Sequence, residues 1–164
     1  MKILVLLSAV IACCSCNHNT GKNAALQNRI DSLEHQLANV YKPGLGEFMS
    51  SIQVHHAKLW FAGQNQNWLL ADFEIAEIKE ALEAIPVYCA DRPEVQKLSM
   101  INPAIDSMYS AVKIKNVQQF KNNFALLTAT CNNCHQATNH AFNHIKIPDT
   151  PPFSNQDFTV PVHD

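Results

Sequence analysis

The sequence predicts an all-α protein: an up-and-down four-helix bundle, with an extra helix before it and an extended, proline-rich tail after it. Apolar residues recur at steps of three and four over most of the chain, and no alternating strand pattern of any length appears. Only 4 of the 164 residues are glycine. This length corresponds to one domain with appendages, and the net charge of −2 argues against a nucleic-acid partner.

The first residues have the layout of a secretory signal peptide. Lys2 is followed by a short uncharged apolar run that ends in small residues and cysteines, and this run is too short to cross a membrane as a mature helix. Residues 1–16 are therefore predicted to be a signal and lipidation region. This indicates an exported protein, periplasm-facing or an outer-membrane lipoprotein of a Gram-negative bacterium.

The cysteines at the end of this region resemble the cleavage site of bacterial lipoproteins, where a cysteine becomes the lipidated first residue. Cys13 fits best by the residues before it, and Cys16 fits best by the length of the signal. Both assignments stay open, and a cleaved signal without lipid is the alternative. Any attachment to the membrane is expected to be through an N-terminal lipid anchor.

Residues 17–45 are predicted to form a tether and a short heptad helix. Residues 17–23 are polar, and from Ala24 the apolar residues step by four, three, four and three: Leu26, Ile30, Leu33, Leu37 and Val40. The repeat covers about two heptads, so the helix could pair with a copy of itself or lie on the main domain. Residues 46–145 then form the predicted bundle.

The first two helices of the bundle are marked by periodicity and by the residues that end them. The first is predicted over residues 47–62 and closed by Gly63, and the second begins after an N-cap at Asn67 and is stopped by Pro86. An apolar stripe on the second helix faces the core. Its charged residues, Glu74 among them, are expected on the outer face.

The third and fourth helices lead to the cysteine motif. The third opens at Pro93, and residues 102–103, Asn-Pro, predict a kink or a fresh cap within it. The fourth starts near Asn116, and its apolar stripe continues into Cys131 and Cys134. The two cysteines therefore prolong the core-facing line of an amphipathic helix.

The last part of the chain, residues 146–164, loses helical periodicity. Four prolines alternate with Phe153 and Phe158 in this segment. We expect an extended tail that lies across the bundle and covers apolar surface.

Residues 131–135, Cys-Asn-Asn-Cys-His, form a C-x-x-C-H motif. Cys131, Cys134 and His135 stand at i, i+3 and i+4, so on a helix their side chains share one face. This spacing suits one covalent c-type haem, since two thiols can reach the two vinyl groups while an imidazole lies beneath the iron. Cys131 and Cys134 are therefore predicted to form the thioethers, and His135 to be the proximal iron ligand.

Two other chemistries use the same residue types. A redox dithiol of the thioredoxin kind normally lies between a strand and a helix, and no strand is predicted before Cys131. A zinc site could be built from Cys131, Cys134 and His135 together with His140 or His144. A non-haem Cys/His metal-binding module is therefore kept as an alternative.

The position of the motif on the last helix resembles the class II cytochromes c, the cytochrome c-prime group. These proteins are four-helix bundles with C-x-x-C-H on the last helix, and the resemblance covers roughly Gly46 to His144. The helix before this range and the tail after it depart from the family pattern. The resemblance implies that the sixth iron position is either open or closed by a methionine of the first helix, and it favours a homodimer.

Met49 is the candidate axial ligand, because there is no methionine after His135. At 100° per residue, Met49 and His56 share one face of the first helix, so His56 is the rival. Methionine ligation raises the reduction potential and suits electron transfer, whereas an open site would bind a small gas.

The sequence thus predicts a monohaem c-type cytochrome that transfers single electrons to redox partner proteins in the bacterial cell envelope. A gas-binding or sensing haem protein with an open distal site is the alternative. We do not expect an enzyme, because no Ser/His/Asp set or inward carboxylate pair calls for hydrolytic chemistry.

Overall fold

The computed structural model describes residues 18–160, and the contacts divide the chain into two units, Met1–Lys42 and Pro43–Asp164. The described residues of both units form helices and loops, with no strand among them. The prediction of an all-α protein is therefore confirmed. The predicted signal and lipidation residues, Cys13 and Cys16 included, lie outside the described residues. No helix in the described part is long and apolar enough to span a membrane.

The first unit contains one described helix, α1 (His18–Ala38). It begins at His18, before the predicted helix start at Ala24, so the polar residues from 18 onward are part of the helix. Side-chain bonds between neighbouring turns support the helix: Gln27 Nε2 donates to Asp31 Oδ1 at 2.8 Å, and Asn39 Nδ2 donates to the His35 carbonyl at 2.9 Å.

The second unit contains four α-helices and a 3-10 helix. These are α2 (Leu45–Gln64), α3 (Trp68–Tyr88), the 3-10 helix (Pro93–Ile101), α4 (Asn102–Lys113) and α5 (Val117–Ala137). Each α-helix packs against the next one in the chain, and α5 also contacts α2. Their apolar faces meet in one core, in which Phe120, Phe124 and Leu59 are among the largest fully buried side chains.

Asparagine caps begin two of these helices at the predicted positions. Asn67 Oδ1 accepts a hydrogen bond from the Leu70 amide at 3.2 Å at the start of α3. Asn116 Oδ1 accepts from the Gln119 amide at 2.9 Å at the start of α5. Each cap satisfies one of the amides that have no partner inside the first turn of a helix.

The predicted helix ends at Gly63 and Pro86 are both wrong. Gly63 lies inside α2, and a Cβ at this position would be 2.1 Å from Cζ of Phe120, so the glycine allows the two segments to approach closely. Pro86 lies inside the last turn of α3, which continues to Tyr88. There the missing proline amide costs only one hydrogen bond before the helix ends.

The region of the predicted third helix consists of two different helices. Residues 93–101 form the 3-10 helix, and a new α-helix begins at Asn102 with Pro103 in its first turn. The predicted fresh start at residues 102–103 is therefore confirmed. Proline fits there because the amides of the first turn have no intrahelical partner.

Glu74 is fully buried, which contradicts its predicted place on the outer face of the second helix. It stands three residues after Ala71 and four before Ile78, both of them core residues, so it shares their face. Its Oε2 lies 2.6 Å from Nδ1 of His55, and its Oε1 lies 3.6 Å from Nζ of Lys58. These partners on α2 offset part of the cost of burying the carboxylate, whose Oε1 has no hydrogen-bond partner among the described residues.

Candidate haem-binding site

A cavity of about 430 Å³ lies between the start of α2 and the C-terminal half of α5. The 3-10 helix, one residue of α3 and the loop after α5 complete its wall. The apolar side chains that line it are Leu45, Met49, Ile52, Leu82, Leu98, Ile101 and Ile145. Its volume lies in the range that is common for small-molecule and cofactor sites.

The residues predicted to hold a haem all line this cavity. Cys131, Cys134 and His135 come from α5, whereas Met49 and His56 come from α2. The last two are seven residues apart, about two helical turns, so they lie on one face of α2. The structure therefore brings together the full set of residues that the sequence selected from two distant segments.

The hydrogen bond of His135 determines which of its ring nitrogens carries the proton. Nδ1 lies 2.6 Å from the backbone carbonyl of Asn143. Because a carbonyl oxygen can only accept, Nδ1 is the donor, and Nε2 of the neutral ring keeps its lone pair. Metal-binding histidines in proteins commonly have this arrangement, with one nitrogen donating to a carbonyl and the other on the metal.

Asn132 holds the loop that supplies this carbonyl. Its Nδ2 donates to the carbonyl of Ile145 and its Oδ1 accepts from the amide of Ile145, both at 2.8 Å. Asn132 stands at a variable position of the motif, and no role was predicted for it from the sequence. The residue type itself was the available indication. An asparagine side chain has a donor and an acceptor, so it can bind both the carbonyl and the amide of one backbone residue.

The two thiols lie free of any disulfide and are partly buried. Burial, reinforced by the neighbouring Cys134 thiol, raises the pKa of Cys131 to about 12, and burial also raises the pKa of Cys134. Both groups are therefore protonated at neutral pH. Dithiols that exchange disulfides depend instead on a lowered pKa and a thiolate.

His56 is buried, and its Nε2 lies 2.9 Å from Oγ1 of Thr128. The single hydroxyl proton of Thr128 is donated to the carbonyl of Phe124 at 2.9 Å, so the threonine accepts from His56. Burial lowers the pKa of His56 to about 4, and the ring is neutral at physiological pH. To ligate a metal through Nε2, His56 would have to lose this hydrogen bond.

Charged side chains occupy one part of the cavity wall. Arg92 Nη2 donates to Glu94 Oε1 at 2.8 Å, and Nε2 of His140 lies 3.8 Å from the same oxygen. A hydrogen bond from its own backbone amide lowers the pKa of Glu94, and the bond from Arg92 lowers it further. His140 also donates from Nδ1 to the carbonyl of Thr138 at 2.7 Å.

The zinc alternative used the same cysteines with His140 or His144. His140 lines the cavity, whereas His144 is exposed and does not. Within residues 18–160, no group of three or more His, Cys, Asp or Glu side chains is arranged to hold a metal ion.

Four aromatic side chains on α2, α3 and α5 pack together in the core: Trp60, Trp68, Phe120 and Phe124. The rings of Trp60 and Phe124 have centroids 4.8 Å apart, and those of Trp68 and Phe120 are 5.9 Å apart. None of these four side chains lines the cavity.

Comparison of the chain with protein-family models, with curated proteins and with solved structures finds no match in any of the three.

Proposed function

We propose that this protein is a monohaem c-type cytochrome that transfers single electrons between redox partner proteins in a bacterial cell envelope. The supporting observation is the state of His135 beside the two thiols. Its Nδ1–H is held by the Asn143 carbonyl at 2.6 Å, which leaves Nε2 as the ligating atom of a histidine that lines the same cavity as Cys131 and Cys134.

The residues of the cavity fit a covalent haem. Cys131 and Cys134 would hold it through two thioether bonds, and His135 would bind the iron through Nε2. The raised pKa of both thiols argues against a redox dithiol, which depends on a thiolate. When bound, the haem supplies one-electron iron chemistry, and the protein contributes ligands, orientation and a largely apolar surrounding.

Met49 is the axial ligand that we propose for the other side of the iron. It lines the cavity from α2, while the thiols and His135 line it from α5. His56 is the weaker candidate because its Nε2 already donates to Thr128. A thioether ligand raises the reduction potential and occupies the position that a gas would need, so this assignment favours electron transfer over gas sensing.

The arrangement of helices that we propose for residues 46–145 is an up-and-down four-helix bundle, as in the class II cytochromes c that the sequence resembles. The packing of α2, α3, α4 and α5 on their chain neighbours, with α5 back on α2, supports this arrangement. Residues 1–16 would direct export, and Cys16 or Cys13 would carry the lipid. The protein would then act as an electron carrier and not as an enzyme.

Denaturing mass spectrometry of the protein exported by a bacterial host that attaches c-type haem would test the proposal. We expect the unfolded chain to keep the added mass of one haem, and replacement of both Cys131 and Cys134 by serine to remove it. Cys89→Ser is the matched control, because Cys89 is buried with its thiol near the Pro43 carbonyl and does not line the cavity. Haem that separates from the wild-type chain on unfolding, or no haem at all, would contradict the proposal.

A further inference from the structure

Helix α1 presents an apolar stripe that nothing within its own unit covers. Leu26, Ile30, Leu33 and Leu37 are between 46% and 65% exposed. The described residues of this unit contain no second helix or strand. Because helices in proteins are stabilised mainly by packing of their apolar face, a stripe of this kind needs a partner.

The stripe follows a heptad repeat with the residue types of a two-stranded coiled coil. Ile30 and Leu37 occupy position a, and Leu26 and Leu33 occupy position d. One heptad before Ile30, position a is taken by Asn23. Isoleucine at a with leucine at d favours two strands, and a single asparagine at a fixes register and favours the dimer.

The charged residues beside the stripe are complementary between two parallel copies. Arg29 occupies position g and Glu34 the following position e. In a parallel, in-register pair, each g residue faces the e residue five positions later in the partner, so Arg29 of each copy faces Glu34 of the other. In an antiparallel pair, g faces g and e faces e, so Arg29 and Glu34 would not face each other.

These two charges have no partner within the described part of their own chain. Neither Arg29 nor Glu34 takes part in an ion pair or side-chain hydrogen bond there, and both are exposed. They are five residues apart, whereas ion pairs on one helix form at spacings of three and four. Both side chains are therefore available to a second copy.

We propose that α1 pairs with α1 of a second copy of this chain as a parallel, in-register, two-stranded coiled coil. Asn23 lies at its axis, Ile30, Leu33 and Leu37 form its apolar seam, and two symmetric Arg29–Glu34 pairs flank it. A parallel pair brings both chain starts to the same end, which suits two copies on one membrane surface. This pairing involves residues of α1 alone and does not depend on the haem.

Cysteine cross-linking in the full-length protein tests the orientation and the register. In a parallel pair the two a positions at residue 23 face each other within reach of a disulfide, so Asn23→Cys should form dimers under mild oxidation. Ala25→Cys, at the outer position c, is the matched control and measures the background from the other cysteines. We expect at least about tenfold more dimer for Asn23→Cys, and equal cross-linking of the two variants would overturn the proposal.

Charge exchange tests the pairing itself. Arg29→Glu and Glu34→Arg each place like charges opposite one another, and each variant alone should dimerise roughly tenfold more weakly. Mixed together they regain opposite charges, so differently labelled chains should form the mixed dimer preferentially. A mixture that pairs no better than either variant alone, as expected if α1 packs on its own chain, would overturn the proposal. The haem spectrum should not change in these variants, which separates this result from the test of the haem site.

Discussion

The state of His135 depends on a single backbone contact. A free neutral imidazole can carry its proton on either nitrogen, and only the carbonyl of Asn143, 2.6 Å from Nδ1, selects the form with Nε2 unprotonated. The same bond fixes the rotation of the ring and makes Nε2 a better electron donor. The proposed ligand is therefore preorganised by a residue eight positions away in the chain.

Met49 is expected to determine the spin state and the ligand binding of the proposed haem. Met49→Leu keeps the volume and apolar character of the side chain but removes the sulfur, so the ferric protein should become high-spin and the reduced protein should bind carbon monoxide. Met100→Leu is the control, since Met100 is 40% exposed and does not line the cavity. Visible and near-infrared spectra measure both effects. Carbon monoxide binding by the wild type itself would favour the open, gas-binding site instead.

His56 is expected to make the protein less stable in acid. Its pKa is about 4 when folded and about 6.5 when exposed, so the unfolded chain takes up the proton first as the pH falls. The contribution of His56 to the free energy of unfolding is complete above about pH 6.5 and declines towards pH 4, by about 3 kcal/mol in all.

Unfolding by denaturant at several pH values measures this effect. His56→Gln keeps an amide donor for Thr128 but does not titrate, so its stability should decline about 3 kcal/mol less than that of the wild type between about pH 7.5 and about pH 4. Subtracting the free energy of unfolding of one protein from that of the other at each pH removes the contribution of the other titratable groups. Parallel stability curves for the two proteins would contradict the assignment.

At this scale, the sequence identified residues whose role depends on spacing and missed those that depend on distant partners. The shared face of Cys131 and Cys134 follows from helical geometry, which puts i, i+3 and i+4 on one side of a helix, whereas Met49 was selected through the resemblance to the class II cytochromes c. Burial of Glu74 depends on His55, which lies 19 residues earlier in the chain and reaches it only once α2 and α3 have packed. The local spacing places Glu74 on the same helix face as Ala71 and Ile78, but it does not show the partner that allows a carboxylate to be buried there.

Among the elements, the loop after α5 has the most direct effect on the site. Asn139 ends the helix in a left-handed conformation, with φ of 62°, and turns the chain back along α5. The Asn132 side chain then forms two hydrogen bonds with the backbone of Ile145, one to its carbonyl and one to its amide. This loop holds the Asn143 carbonyl in place. The orientation of His135 therefore depends on the loop remaining ordered.

Asn132→Ala should release this loop. The Ile145 amide loses its acceptor, so its hydrogen exchange should accelerate at least about tenfold, and the free energy of unfolding should fall by about 1–2 kcal/mol. The reduction potential should also rise, because a less well-held Nδ1–H makes Nε2 a weaker donor to iron. Asn133→Ala is the matched control, since Asn133 is the exposed neighbour in the same motif.

A second variant separates this role from a general loss of stability. Asn132→Asp keeps an acceptor for the Ile145 amide but has no donor for its carbonyl. It should therefore restore most of the amide protection. The same exchange rate at Ile145 in wild type and Asn132→Ala would show that Asn132 does not hold the loop.

Helix boundaries show where local signals are sufficient and where packing overrides them. The asparagine caps at residues 67 and 116 are short-range bonds; the cap at Asn67 and the helix start near Asn116 were both predicted correctly. Glycine is typical of a helix end, yet Gly63 lies inside α2, where Phe120 occupies the space that a side chain would need. Just after α2, Gln66 adopts the left-handed conformation, at φ of 58°. Glutamine rarely has this conformation, so the residue type did not predict the helix end.

At the scale of the molecule, the C-terminal tail packs against the second unit near the turn between α2 and α3. Phe158 is 5% exposed, and its ring centroid lies 5.7 Å from that of Phe61. Asn67 Nδ2 donates to the carbonyl of Thr159 at 2.9 Å. The tail therefore covers core residues through side-chain and backbone contacts, although residues 145–160 contain no helix or strand.

Phe158→Ala should lower the free energy of unfolding by about 2–4 kcal/mol, because it removes a buried aromatic ring and leaves a cavity against Phe61. Phe142→Ala is the control: its ring is 83% exposed, so stability should change by less than about 0.5 kcal/mol. Denaturant unfolding of the haem-loaded proteins, followed by circular dichroism, compares the two. The haem spectrum should stay the same in both variants, because Phe61 and Met49 are twelve residues apart on α2, about 18 Å along the helix. Equal stability losses in the two variants would show that the tail does not contribute to the core.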